Sequence, residues 1–477
     1  MRVSELYSLE KTQPELDFVD VDVEKDTPVF ISPKALTYLP TEWGDECVHL
    51  IQNFFKEVVR LIKEGEDSKA QALLSVLSEP NETHLGLSAD KSRGRAVGEE
   101  SAHDIWDALH ESRAARSGLL EDLEDTVLMI KGISVDIVSD IATNIIRAPL
   151  IQYTQQMCEW HGIPMEKDVD SGALWDSRNK EWTSKFVSLP VAGGRRLMLV
   201  PKGIVRRHLS YDAGEYCTHY LLTHLQQVEL DANSSLVQLL KNKKRRVTKK
   251  SLKEKYGTGK DMIVRETIKH PEALARYRKD KKKEDHPALP LEVITEIENE
   301  AAPDWNTLLQ KVVGLPTGKD DAGAYEKAVE GLLTALFYPA LMYPLPQREI
   351  HEGRKRIDIA YTNMAQARFF QWVGAHYPAP HIYFECKNYG REIGNPELDQ
   401  LGGRFSPSRG KVGFIVCRSF EDKALFMKRC RDTAIDDRGF ILPLDDEDLV
   451  ALTESRKTDA LYERYLFLHE RFNELIN

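Results

Sequence analysis

Apolar positions fall into two regimes along the chain. Up to about residue 240 they recur mainly at three- and four-residue spacing. The segment VHLIQNFFKEVVRLI (48–62) predicts a helix within 44–76, and further helices are predicted over 101–127, 134–160 and 211–241. Between the first two lies SEPNETHLGLSADKSRGRAVGEE (78–100), rich in breakers and polar residues, which predicts a loop. Shorter extended pieces are expected at PVFIS (28–32) and at KFVSLPV and RRLMLVPK, joined by AGG. The expectation for 1–240 is therefore a mostly helical region with a small β element.

After residue 305 the pattern changes. AYEKAVEGLLTALF (324–337) reads as a helix, and REIHEGRKRIDIAY (348–361) as strand on either side of a glycine turn. HIYFECKNY (381–389) is strand-like. NPELDQLGG (395–403) opens with Asn-Pro and ends at Gly-Gly, as a short helix does. KVGFIVCRSF (411–420), EDKALFMKRCRDTAI (421–435) and GFILPL (439–444) continue as strand, helix and strand. Continuous apolar strands imply a sheet covered on both faces, so 306–477 is expected to form a three-layer α/β or α+β domain.

Charge adds a division the apolar pattern does not give. The chain carries a net −11, which alone argues against a polyanionic partner. Residues 241–283 nevertheless hold 18 Lys+Arg against 5 Asp+Glu, a local +13 that leaves the remainder at −24. That segment, with KNKKRRVTKK and RYRKDKKKED, is expected to touch nucleic acid through Lys243, Lys244, Arg245 and Arg246, because polycations bind phosphate backbones without reading sequence. The alternative is a plain solvated face or a disordered arm. Residues 284–305 read as a linker with a short helix.

The six cysteines are scattered, with no CxxC pair, and the first residues lack the apolar core of a signal peptide. No apolar run is long enough for a bilayer. A cytoplasmic protein without membrane contact is the expectation. The fourteen histidines show no HxxxH-type spacing, which disfavours a zinc enzyme. There is no P-loop, no GxGxxG after a strand and no GxSxG.

The chemistry is concentrated in YFECKNYG. Side chains alternate along a strand, so Glu385 and Lys387 share one face while Phe384 and Cys386 take the other. In RIDIAY, Asp358 alternates in the same way with Ile357, Ile359 and Tyr361. If the two strands are neighbours, Asp358 and Glu385 converge beside Lys387. Two close carboxylates repel unless a cation lies between them, and Mg²⁺ favours such oxygen ligands. A lysine beside the metal can hold or deprotonate an attacking water. An exposed ion pair on an edge strand is the competing reading of Glu385 and Lys387.

Asp358 followed by Glu385-Cys386-Lys387 resembles the D…(D/E)xK signature of the PD-(D/E)XK nuclease superfamily, over about 320–450. The resemblance implies a restriction-endonuclease-like domain in which Asp358 and Glu385 ligate Mg²⁺ (with Mn²⁺ as a substitute) and Lys387 positions the water. It implies a matching role for Glu326 on the first helix and for Gln400 on the helix after the ExK strand. The usual proline before the aspartate is replaced by Ile357, and the long gap to Glu385 leaves room for a helix within NMAQARFFQWVGAHY.

Arg404 and Arg409, in GGRFSPSRGK, are candidates for the phosphates of the scissile strand, with a solvated surface position as the competing reading. The function these features imply is a Mg²⁺-dependent endonuclease acting on DNA, in prokaryotic antiphage defence or restriction, regulated by its N-terminal region. A homodimer or a defence complex is the implied assembly. The alternatives are an RNase, or a catalytically silent nuclease-fold subunit of a larger complex. One further stripe, Asp136, Asp140, Asn144 and Arg147, reads as the wet face of a helix or as a second ligand site.

Overall fold

The computed structural model describes the chain except residues 87–104, 107, 108, 111, 113, 115, 116, 118, 119, 122, 209, 241, 284–287, 299, 300, 351–354, 366, 367 and 458–460, with the backbone alone at 345–350, 355, 356 and 461–464. About half of the helix expected over 101–127, and the glycine turn before RIDIAY, lie outside the described residues.

Helix α1 (Glu42–Glu64) begins where Thr41 Oγ1 accepts the Gly44 N–H at 2.9 Å, and it ends at Gly65 in the left-handed conformation. It buries Leu50, Phe54, Val58 and Ile62 in one core with α2 (Val135–Ile145) and α3 (Arg147–His161). The β element that follows is larger than expected. Strand β1 (Glu166–Asp170) pairs antiparallel with β4 (Phe186–Leu189), and β2 (Leu174–Asp176) with β3 (Glu181–Thr183). EKDVD carries no apolar alternation to mark it as a strand, because most of its residues stay exposed. The Trp175–Trp182 pair docks this element on α1, where the Phe54 ring lies 4.9 Å from that of Trp175.

The polar stripe on α2 is not a wet face. Asn144 and Arg147 are buried, and Arg147 NH1 pairs with Glu82. Burial, reinforced by the Glu79, Asp136 and Asp26 carboxylates, pushes the Asp140 carboxyl up to about 8.

The basic segment is folded. A helix begins at Ala213, passes through a π-turn at Tyr216–Leu221 and continues as α4 (Leu222–Asp231). A hairpin of β5 (Gln238–Leu239) and β6 (Arg245–Arg246) follows, then α5 (Lys249–Tyr256), α6 (Lys260–Lys269) and α7 (Pro271–Lys283).

Helices α8 (Trp305–Val313) and α9 (Ala322–Phe337) lead into a five-stranded sheet. Its strands lie side by side in chain order: β7 (Leu341–Ile350), β8 (Lys355–Asn363), β9 (His381–Lys387), β10 (Val412–Cys417) and β11 (Phe440–Leu444). The first two steps are antiparallel and the last two parallel. Helix α10 (Arg368–His376) fills the long gap between Asp358 and Glu385, as expected. The parallel steps are carried by α11 (Asn395–Gly402) and α12 (Lys423–Ile435), and α13 (Asp446–Lys457) and α14 (Leu461–Ile476) close the chain.

Helices cover both faces. On one side Phe337 of α9 packs on Phe384 and on Phe370 of α10, and Phe472 of α14 stacks on Phe440. On the other, Phe405, just after α11, packs on Tyr383 and against the bare backbones of Gly413 and Gly439.

Packing runs across the 284–305 linker. The buried Asp17 carboxylate accepts the Tyr343 N–H of β7 at 3.0 Å and the Tyr153 hydroxyl at 2.9 Å. Lys202, also buried, points its ammonium over the Tyr338 ring at 4.5 Å. Lys11 reaches Glu330 of α9 at 2.6 Å, and Lys311 of α8 reaches Glu15 at 2.8 Å. The N-terminal region therefore lies directly against the outer strand of the sheet and its covering helices. Among the described residues no helix is long and apolar enough to cross a membrane.

Candidate active site

The site forms where β8 and β9 part. Their paired register runs from Thr362–His381 to Ile359–Phe384, and one further step sets Asp358 opposite Glu385. Side chains directly opposite on antiparallel strands share a face. Beyond Ile359–Phe384 the Asp358 side chain stands in for the ladder: its Oδ2 accepts the Cys386 N–H at 2.8 Å. The two carboxylates predicted to converge thus lie on neighbouring strands, each anchored at β9.

Glu385 is only 1% exposed, and a carboxylate so buried is costly unless its oxygens are satisfied. Oε1 accepts from Lys387 Nζ at 2.6 Å and from Gln400 Nε2 at 2.7 Å, and Oε2 pairs with Arg404 NH1. Lys387 Nζ also donates to Gln400 Oε1 at 3.3 Å. Lys387 is itself buried, so the edge-strand ion pair in water does not describe it. Gln400 comes from α11, whose first turn is set by Pro396 and by Glu397, which accepts the Gly394 N–H at 2.8 Å.

Glu326 approaches from the α9 side of the sheet and is half-buried. It and Asp358 flank Cys386, whose thiol is pushed up first by burial and then by these two carboxylates. The structure therefore gathers Asp358, Glu385, Lys387 and Gln400 in one cluster at β9, with Glu326 near Cys386 of the same strand.

Arg404 departs from expectation. It is buried and turned inward onto Glu385, not held out for a phosphate. Burial draws its guanidinium below the usual range, while the Asp358 carboxylate opposes that shift. Its partner Arg409 is half-buried, with NH2 3.4 Å from the Arg404 carbonyl oxygen. Asn388, which no sequence signal singles out, fixes the strand end after Lys387. Its amide donates to the Pro316 and Gly318 carbonyls at 2.9 and 3.1 Å, locking β9 to the loop before α9.

Lys243, Lys244, Arg245 and Arg246 are exposed around the β5–β6 hairpin, and Lys243 makes its turn with φ 61°. They are not part of the carboxylate cluster.

The donor set fits a hard divalent cation. Two carboxylates from adjacent strands supply oxygen ligands of the kind Mg²⁺ takes, and the cationic side chains of Lys387 and Arg404 now pair with Glu385.

Residues 8–212 match the family model of a domain of unknown function, DUF8370. No curated protein and no solved structure matches the chain. The DUF8370 match covers α1 to α3, the small β element and the Asp17 and Lys202 contacts. It ends well before Asp358, so the carboxylate cluster rests on its own geometry.

Proposed function

We propose that the protein is a metal-dependent endonuclease of the PD-(D/E)XK type, with a restriction-endonuclease-like C-terminal domain acting on DNA. The observation that carries this reading is the meeting of Asp358, Glu385 and Lys387 at the parting of two adjacent strands, with all three anchored by hydrogen bonds or ion pairs. Asp358 and Glu385 would hold Mg²⁺, which supplies a more acidic water and neutralises charge on the phosphate. Lys387 Nζ, held beside Glu385, would orient the attacking water by donating to its oxygen. Gln400 keeps that ammonium in place from α11. Arg404 balances the carboxylates and is close enough to meet a phosphate oxygen once released from Glu385.

The exposed hairpin cations would guide the nucleic-acid backbone toward the sheet domain. The residues matched by DUF8370 would regulate it, since they press on β7 and α9. An endonuclease held under such control suits antiphage defence or restriction in a prokaryote.

The direct test is incubation of the purified protein with plasmid, linear DNA and RNA, in Mg²⁺ or in EDTA. DNA cleavage that requires Mg²⁺ and falls about 10²- to 10⁴-fold in Lys387→Ala is expected. Cleavage that survives both EDTA and Lys387→Ala would sink the mechanism. Cleavage restricted to RNA would reassign the substrate.

A further inference from the structure

Far from the sheet in sequence, α4 and the start of α7 bring together His224, His270 and Glu272. One ligand atom from each lies within 4.8 Å of the others. We infer that these three residues bind a zinc ion, which fastens α4, before the basic hairpin, to the junction of α6 and α7 beyond it.

The three ligand atoms are close enough for one small cation to reach all of them after shifts of about an ångström or less. His224 Nε2 lies 2.8 Å from Glu272 Oε1, and His270 Nδ1 lies 3.6 Å from the same oxygen. Zinc–ligand bonds of about 2.0–2.2 Å in a tetrahedron set neighbouring ligand atoms roughly 3.3–3.6 Å apart. The Nε2 atom of His224 is buried and makes no hydrogen bond, with the Glu272 carboxylate beside it. Two imidazoles and one carboxylate are a donor set that suits zinc, and three protein ligands leave a fourth position for water.

The ligands stand on a rigid support. Tyr216, Tyr220 and His224 follow one another at four-residue spacing, so they face the same way along the helix. The first two rings pack on Tyr277 of α7, with centroids 5.3 and 4.9 Å away. His270 is fixed at the end of α6, where its N–H reaches the Glu266 and Thr267 carbonyls at 3.0 and 3.2 Å. The aromatic contact thus aims His224 at the start of α7 before any ion is added. Closing the chain between His224 and His270 restrains the hairpin that carries Lys243 to Arg246, which gives the ion a structural purpose. This inference is independent of the nuclease reading.

The test titrates full-length, EDTA-treated protein with zinc chloride by calorimetry, in excess Mg²⁺. One zinc per chain with micromolar or tighter affinity is expected. His224→Ala and His270→Ala should each weaken it by about 100-fold or more, and Glu272→Gln by about tenfold or more. Asp358→Ala should leave it unchanged. Circular dichroism establishes that the variants are folded. Should the histidine variants misfold, Glu272→Gln decides, because that side chain is half-exposed. The inference is overturned by wild-type protein that binds no zinc below millimolar, by unchanged affinity in Glu272→Gln, or by loss confined to Asp358→Ala.

Discussion

Arg404 and Glu385 form a buried ion pair inside the candidate site: NH1 meets Oε2, and both side chains are less than a tenth exposed. Removing one member of such a pair costs about 3–5 kcal/mol where the other charge is stranded, and less than that for Glu385, which keeps Lys387 and Gln400. Arg404→Ala should therefore lower stability in EDTA, and Mg²⁺ should restore part of the loss by taking the place of the guanidinium beside Glu385. Thermal melts with and without Mg²⁺ check this. The metal-induced rise in Tm should be larger in the variant than in the wild type, and an equal rise would show that Arg404 and the metal do not compete.

Phe405 follows Arg404 directly and fills the space over Gly439, which adopts φ +118°. A Cβ at Gly439 would collide with that ring and would also occupy an unfavourable backbone region. Gly439→Ala is expected to cost about 2–3 kcal/mol in urea unfolding. It should also reduce cleavage at a temperature where the variant is still folded, because the ring anchors the loop that delivers Arg404.

Asp140 gives a pH signature. Its carboxyl has an ordinary value of 3.8 and is raised to about 8 in the native state. Between those values the native state binds the extra proton, so this group's contribution is present at low pH and lost as pH rises through about 8. Asp140→Asn removes the dependence. Near pH 4 the two proteins should be close in stability, and above pH 8 the variant should be the more stable. Their difference should grow by up to about 1.4 kcal/mol per pH unit between pH 5 and 8. Paired denaturant titrations at pH 4, 6.5 and 8.5 read it, and a constant difference contradicts the assignment.

Neutralising Lys243, Lys244, Arg245 and Arg246 together should weaken DNA binding for all sequences alike. The slope of log K against log salt should flatten by roughly 0.9 for each duplex phosphate that the hairpin no longer neutralises. Fluorescence anisotropy across a salt series measures it, and an unchanged slope removes the hairpin from the binding surface.

The carboxylate cluster was legible because alternation in RIDIAY and HIYFECK is a local property. It placed Glu385 and Lys387 on one face, and Asp358 joined them only on the condition that the two strands are neighbours, which the pairing of β8 with β9 meets. Helix α10 was legible in outline from the length of the gap it fills. Arg404 was not, because its inward turn depends on Phe405 docking against Gly413 and Gly439, residues from other elements. The burial of Asn144 and Arg147 was hidden for a related reason: Glu82, which pairs with Arg147, comes from a distant loop. Histidine spacing could not reveal His224 and His270, since the fold joins them through two separate helices.

The Asp17–Tyr343 hydrogen bond also bears on how copies of the chain can associate. β7 is the outer strand on its side of the sheet, and its pairing with β8 is interrupted between Met342 and Leu345, where Tyr343 turns to φ 54°. An outer strand normally offers its amides as a template for another strand. Here the Tyr343 amide is already taken by a carboxylate from the N-terminal region, and the kink bends the strand out of line. Sheet extension from one copy to the next is therefore opposed at Tyr343.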